Sequence, residues 1–290
     1  MTAAVFTDQP RAPRAGRSKP LSMTALDGAA TFWFAVTWIG QWAFFYYLTA
    51  FYGGMTLSGD FEPMARLRAL GATGYVAGDT VGNTTFVLHA FAAGIIAFGG
   101  LLQFLPQIRS RFPAFHRWNG RVFLFTVVGL SLSGFYLVWV RGSAPSPLNG
   151  LSTTVNGVLI LTFAAFAWRT AVARNIAVHR RWALRLYLVS NAQWFLRIGV
   201  FGYFILNMAM GRKAGFGDPF FQFWTFGCFV VPLAVAELYL RAKDARAAPL
   251  ARVAMAGGLT VAALLMAVGI FGFSMLSLKI LSGGPLTIGS

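Results

Sequence analysis

The sequence predicts an all-α protein, a polytopic bundle of about seven membrane-spanning helices. Three observations carry this. The chain is 57% hydrophobic and only 11% charged, with a mean hydropathy of +0.63, whereas a soluble domain carries about a quarter charged residues. Seven apolar segments reach the roughly 20 residues that a helix needs to cross a bilayer. The cations between those segments fall mainly on one side.

Residues 1–28 are polar and basic, with Arg11, Arg14, Arg17 and Lys19 set among Pro10, Pro13 and Pro20. Such a composition buries too little apolar surface to fold and predicts a disordered cytoplasmic tail. The apolar run behind it is longer than a signal-peptide core, and no small-residue cleavage site ends it. It reads as an uncleaved signal anchor. The spans lie at about 30–51, 82–105, 119–140, 151–171, 182–208, 219–241 and 252–277. Residues 29–278 then form the transmembrane domain and 279–290 a short external tail.

The first span is rich in aromatics (Trp33, Trp38, Trp42, Tyr46, Tyr47). Trp118, Trp139, Trp168 and Trp182 lie near predicted boundaries, as interfacial anchors do. The long external loop, about 52–81, is rich in glycine, holds Asp60, Glu62 and Asp79, and is placed to cap the outer face. Pro232 inside the sixth span leaves a carbonyl without its donor and predicts a kink.

With the N-terminus inside, 17 of the 24 cations fall in the tail and inner loops, six fall outside, and Arg197 alone lies within a span. The positive-inside rule therefore sets a cytoplasmic N-terminus and an external C-terminus. The net charge of +16 is then mostly topology, and no nucleic-acid partner is called for. Cys228 is the single cysteine, which excludes an intramolecular disulfide, a Cys-rich zinc site and a c-type haem attachment.

An approximate repeat runs through the middle of the chain. Spans two and three are joined by QIRSRFPAFHRWNGR (107–121), and spans four and five by VARNIAVHRRWALR (172–185). Each copy places His-Arg at the cytoplasmic entrance of the following helix, with Trp and a further Arg behind. His116 and His179 are 63 residues apart, one hairpin, while the later Arg follows by five residues in one copy and six in the other. Two parallel hairpins would put both histidines at similar depth.

At these residues the sequence resembles a family of bacterial predicted membrane proteins of unknown function. Its members carry an intramembrane His on the second helix, then His-Arg-x-x-Gly-Arg, then His-Arg-x-Trp or a close relative. The matching residues are His89, then His116, Arg117, Trp118, Asn119, Gly120 and Arg121, then His179, Arg180, Arg181 and Trp182 with Arg185. The resemblance covers roughly 82–210 and implies the fold and a bacterial inner membrane, not an activity. A looser likeness to membrane b-type cytochromes and ferric reductases implies haem held between histidines, by analogy alone.

Depth sorts the candidate residues into two sets. His89 lies about 12 Å and Arg197 about 16 Å from the outer boundary at 1.5 Å per residue. Ser190, Gln193 and Arg197 form one polar stripe on the fifth helix. The second helix sets Thr85, His89, Ala92, Ala93, Gly99, Gly100 and Gln103 near one face, where small residues permit close approach or a flat ligand. With Asn156 these give a candidate outer pocket of His89, Asn156, Gln193 and Arg197. Arg197 is the sharpest signal, because a cation in a span is costly by about 2.5 kcal/mol or more and no carboxylate lies at its depth. It bonds amide or carbonyl oxygens, snorkels, or holds an anionic group.

The second set is an inner cluster of His116, Arg117, Arg121, His179, Arg180, Arg181 and Arg185, with Glu237 the one acid inside a span and a candidate partner. Basic loops of this kind can also do no more than set topology and touch headgroups. If haem is bound, His116 and His179 are its candidate iron ligands, with nearby arginines on the propionates.

Three functions follow. One is a redox protein binding haem b or quinone, with a membrane redox partner. The second is binding or transport of a lipid or small amphiphile through the pocket around His89 and Arg197. The third is a structural or assembly subunit of a membrane complex. Whether the chain is an enzyme stays open. No zinc-protease, phosphate-loop or nucleophile-elbow motif is present.

Overall fold

A computed structural model describes residues 19–61, 63–64, 74–244 and 246–283. The expected tail before residue 19, loop residues Glu62, Arg66 and Arg68, and residues 284–290 lie outside the described residues.

Every regular element among the described residues is helical. We number them α1 (Leu21–Ser58), α2 (Thr80–Leu102), α3 (Pro106–Arg111), α4 (Pro113–Phe135, closed by a π-helical turn Tyr136–Val140), α5 (Pro147–Val172), α6 (Ile176–Ser190), α7 (Ala192–Ala209), α8 (Pro219–Lys243) and α9 (Pro249–Leu281). Proline opens α3, α4, α5, α8 and α9, at the position where its missing N–H costs nothing. Asp79 caps α2 by accepting from the Gly82 N–H at 2.8 Å. Gly59, at φ 70°, ends α1 in the left-handed conformation glycine adopts without strain.

Five of these elements are long and apolar enough to cross a membrane: α2, α4 with its π turn, α5, α8 and α9. The outer surface agrees. Phe125 is 79% exposed, and Leu132, Phe271 and Leu264 more than half, a display of apolar area that water would not tolerate over a whole bundle.

Several boundaries differ from the sequence expectation. Helix α1 begins at Leu21, inside the stretch assigned to the tail, because Leu26 and Ala29 are buried against Ala242, Ala256 and Leu259. It also runs to Ser58, beyond the expected end near 51. Likewise α9 continues to Leu281, into the expected C-terminal tail. Helices α4 and α6 start six residues earlier than their apolar runs, so the His-Arg sequences are helical.

The fifth expected span is not one helix. It breaks at Asn191, between α6 and α7. The Asn191 amide donates to the Tyr187 carbonyl at 2.8 Å and accepts from Gln41 Nε2 of α1 at 2.9 Å. A short amide side chain that bonds its own backbone competes with the helical ladder, and Gln41 fixes it in that state.

Tight helix crossings rest on glycine. On α9, a Cβ at Gly269 would overlap the Ile198 carbonyl oxygen of α7, and Gly202 faces the same crossing. Ser152 of α5 donates to the Thr225 carbonyl of α8 at 2.6 Å. At the end of the bundle remote from His116 and His179, Arg141 closes the chain on itself. Its Nε donates to Asp79 at 2.7 Å, and its Nη2 donates to the Gly74 carbonyl at 2.9 Å and to Asn83 at 2.6 Å.

Candidate functional site

His116 and His179 occupy the same register, each the fourth residue of its helix. The first is set by the break at Phe112 followed by Pro113; the second follows a turn in which Arg174 takes φ 55° and Asn175 caps α6 by accepting from the Val178 N–H at 3.3 Å. Arg121 lies over the Trp118 ring at 5.0 Å and Arg185 over Trp182 at 4.7 Å, the same stacking in both copies. Asn119 Nδ2 donates to the Gly99 carbonyl at 2.8 Å, and Gln103 Nε2 to the His116 carbonyl at 3.3 Å, fastening α4 to α2.

His179 Nδ1 lies 2.9 Å from the Ala167 carbonyl oxygen. A carbonyl only accepts, so Nδ1 carries a proton, and Nε2 is the ring nitrogen left for any other partner. His116 Nδ1 is buried and has no hydrogen-bond partner.

The two histidines line one cavity of about 1140 Å³. Its basic end is formed by Arg109, Arg117, Arg121, Arg180, Arg181 and Lys243 around them. Among the described residues no carboxylate lines it. Three nearby acids are each paired: Glu237 accepts from Arg185 at 2.6 Å, Asp244 from the lining Arg181 at 2.9 Å, and Asp27 from Lys19 and the lining Lys243. Among the described residues Arg109, Arg117, Arg121 and Arg180 therefore have no ion-pair partner. Burial first, and the Arg180 charge second, hold the Arg109 guanidinium below its ordinary range.

Behind this mouth the cavity is apolar. Phe104, Phe123, Phe195, Trp224 and Pro232 line it, and Gly199 and Gly202 keep the α7 wall low. Tyr187, 3% exposed, also lines it, and its hydroxyl has no hydrogen-bond partner. Trp224 lies on Gly199, where any side chain would collide with the indole, and donates to the Phe195 carbonyl at 3.2 Å.

The expected outer set is arranged differently. His89 Nδ1 pairs with Ser133 Oγ at 2.8 Å. Arg197 donates to the Gln193 carbonyl at 2.7 Å and lies over the Phe44 ring at 5.6 Å. Arg197 is within electrostatic range of His89, Tyr47 and Tyr52. Asn156 Oδ1 is buried without a partner, and no hydrogen bond joins it to the other three. None of the four lines the large cavity. Among the described residues no group of three or more His, Cys, Asp or Glu side chains could hold a metal ion.

Residues 86–240, just over half of the chain, match the family described as predicted membrane protein, DUF2306. The chain belongs to the DUF2306 family. The matched DUF2306 region holds all three histidines, Arg197 and Glu237. The chain is also similar to Ava biosynthesis cluster protein G of Aspergillus versicolor, 32% identical over 111 residues. That stretch is 38% of this chain and 30% of the relative, so the chain spans less than a third of that protein's length. No solved structure matches.

In this DUF2306 protein the sequence-predicted inner residues His116, Arg117, Arg121, His179, Arg180 and Arg181 share the cavity, while Arg185 and Glu237 pair beside it. Arg109, Tyr187 and Lys243 line the same space but had not been singled out as candidates. For Arg109 the signal was present, a cation two residues from the start of its repeat sequence. For Tyr187 and Lys243 only the packing of α6 and α8 reveals it.

Proposed function

We propose that this DUF2306 protein is a seven-span membrane protein of the inner membrane that binds an anionic amphiphile in the cavity between α4, α6 and α8, with the His-Arg end facing the cytoplasm. One observation carries the reading: a single cavity joins a basic, carboxylate-free mouth to an apolar interior. Arg109 is half-buried, while Arg117, Arg121 and Arg180 are exposed and free to reach a headgroup at the mouth, and the apolar walls suit a hydrocarbon tail. The geometry thus favours amphiphile binding at the histidine end over the pocket around His89 and Arg197, since Arg197 already bonds a carbonyl of its own helix.

The span count adds two elements to the five apolar helices. Helix α1, with 38 residues, extends about 57 Å at 1.5 Å per residue. Helices α6 and α7 follow one another across the core with only Asn191 between them. The 17-to-6 division of cations supports the orientation. The name of the Aspergillus relative places that protein in a biosynthesis cluster, which accords with a small molecule as the ligand.

Native mass spectrometry of the protein released from mild detergent tests the reading. An anionic amphiphile retained by wild type, lost in the Arg117→Ala/Arg180→Ala variant and kept in Arg197→Ala, is expected. A ligand-free wild type, or loss governed by Arg197 alone, overturns it.

A second reading, haem b, is favoured by the Nδ1 bond of His179, which leaves its Nε2 as the nitrogen for a ligand, and by the cavity that His116 and His179 both line. The residues fit the group: two imidazoles for iron and arginines for propionates. Haem would supply one-electron chemistry there, and the chain's part would be to hold and orient it. Purified protein supplied with haem should then show a Soret band that His179→Ala abolishes. A colourless preparation excludes haem, and solvent extraction of the same sample tests for quinone.

A further inference from the structure

We infer that the mouth of the cavity is built for a multiply charged phosphate head, the phosphate or diphosphate ester of a long-chain alcohol. The inference rests on the amphiphile reading and names its substrate class. Four guanidinium groups without ion-pair partners reach the mouth from three separate elements: Arg109 from α3, Arg117 and Arg121 from α4, and Arg180 from α6. A carboxylate or phosphodiester brings one negative charge, which leaves most of this set uncompensated. A phosphate monoester brings about −1.5 to −2 with three strong acceptor oxygens, and a diphosphate brings more.

Geometry adds to the charge count. Arginine forks match phosphate oxygens in bidentate pairs, a match lysine lacks, and at this mouth arginine outnumbers lysine five to one. Helix α4 opens at the mouth with no side chain capping its first turn, so its positive end adds to the field. Two neutral polar groups also lack partners. His116 Nδ1 is buried in the first turn of α4, and the Tyr187 hydroxyl belongs to a side chain only 3% exposed that lines the cavity. A buried polar atom left unbonded costs about 1–3 kcal/mol, so His116 at the mouth favours a polar head there, and Tyr187 marks one polar point in the apolar interior behind it. The aromatic interior continuous with this mouth accounts for the tail.

The test compares ligands of one chain length on the full-length protein in detergent: dodecyl phosphate, dodecanoate and dodecylphosphocholine, with inorganic phosphate as the tail-free control. Isothermal titration should show dodecyl phosphate binding at least about tenfold more tightly than the other three, as charge-assisted bidentate pairs predict. Its affinity should rise between pH 6 and 8, as the second phosphate ionisation near 6 completes, while that of dodecanoate, largely ionised across that range, changes less. Arg180→Lys should lose part of the preference and Arg109→Gln/Arg180→Gln nearly all of it. Equal affinity for dodecanoate and dodecyl phosphate overturns the phosphate head and leaves amphiphile binding standing. No binding of any twelve-carbon probe overturns both. Because the headgroup series is read on wild type, a variant that fails to fold does not blunt it.

Discussion

Arg185 of α6 donates from Nε to Glu237 of α8 across 2.6 Å while its guanidinium covers the Trp182 ring. Glu237 thus pairs with an arginine that does not line the cavity, and of the five arginines that do line it only Arg181 has a carboxylate partner among the described residues, Asp244.

Breaking that pair should weaken the bundle without emptying the cavity. Arg185 is mostly buried and Glu237 39% exposed, which limits the pair to about 1 kcal/mol after solvent screening. Glu237→Gln should lower the midpoint of thermal unfolding in detergent by a few degrees and leave dodecyl phosphate affinity within twofold of wild type. A large affinity change would place Glu237 in the ligand site itself.

The crossing of α7 and α9 has no room for a methyl group at Gly269, where a Cβ would meet the Ile198 carbonyl oxygen. Gly269→Ala forces two backbones apart and should cost about 1–3 kcal/mol, read as a lowered thermal midpoint. Gly257→Ala, on the same helix but with nothing near it, should be neutral or slightly stabilising.

Gln41 and Asn191 meet in a fully buried hydrogen bond at 2.9 Å. Gln41→Leu leaves Asn191 Oδ1 without its donor, at a cost of about 1–2 kcal/mol. The expected result is a lower thermal midpoint together with faster amide exchange around 187–194. Unchanged exchange there would mean that Asn191 holds the break without help.

The ion pair at the opposite end gives a pH dependence with a definite sign. The Arg141 hydrogen bond first, then the Gly82 N–H, hold the Asp79 carboxyl below its ordinary value of 3.8. A depressed folded pKa stabilises the fold above the unfolded value, and that stability is lost as pH falls through the folded value. Wild type should therefore exceed Asp79→Asn in thermal midpoint at pH 6, with the difference shrinking below pH 3.8. A constant difference would point to shape rather than charge at this site.

Much of this was legible in the sequence, for reasons that can be named. His116 and His179 stood out because a repeat spacing placed them alike, and Glu237 because it is the one acid inside a span. The apolar runs marked the helices but began late, since the first turns of α4 and α6 are polar and basic and lie outside the run although they are helical. Contacts far apart along the chain were not legible. Arg141 meets Asp79 across 62 positions and Gln41 meets Asn191 across 150. The break itself left a signal, a Ser-Asn pair in an apolar stretch, which the hydropathy average conceals. The cavity needed α8 laid beside α6, and lateral order is not a property of any one segment.

The break at Asn191 has a mechanical consequence. A continuous helix transmits a tilt along its whole length, whereas two helices meeting at one non-helical residue do not. The α7 half is keyed into α9 through Gly202 and Gly269, and the α6 half carries His179 and Arg180 at the mouth. A swing of about 5° in α6 about Asn191 would move His179, about 18 Å away at 1.5 Å per residue, by about 2 Å while the keyed half stays still. The residue that interrupts the helix thereby uncouples the tilt of the histidine-bearing wall from that of the keyed one.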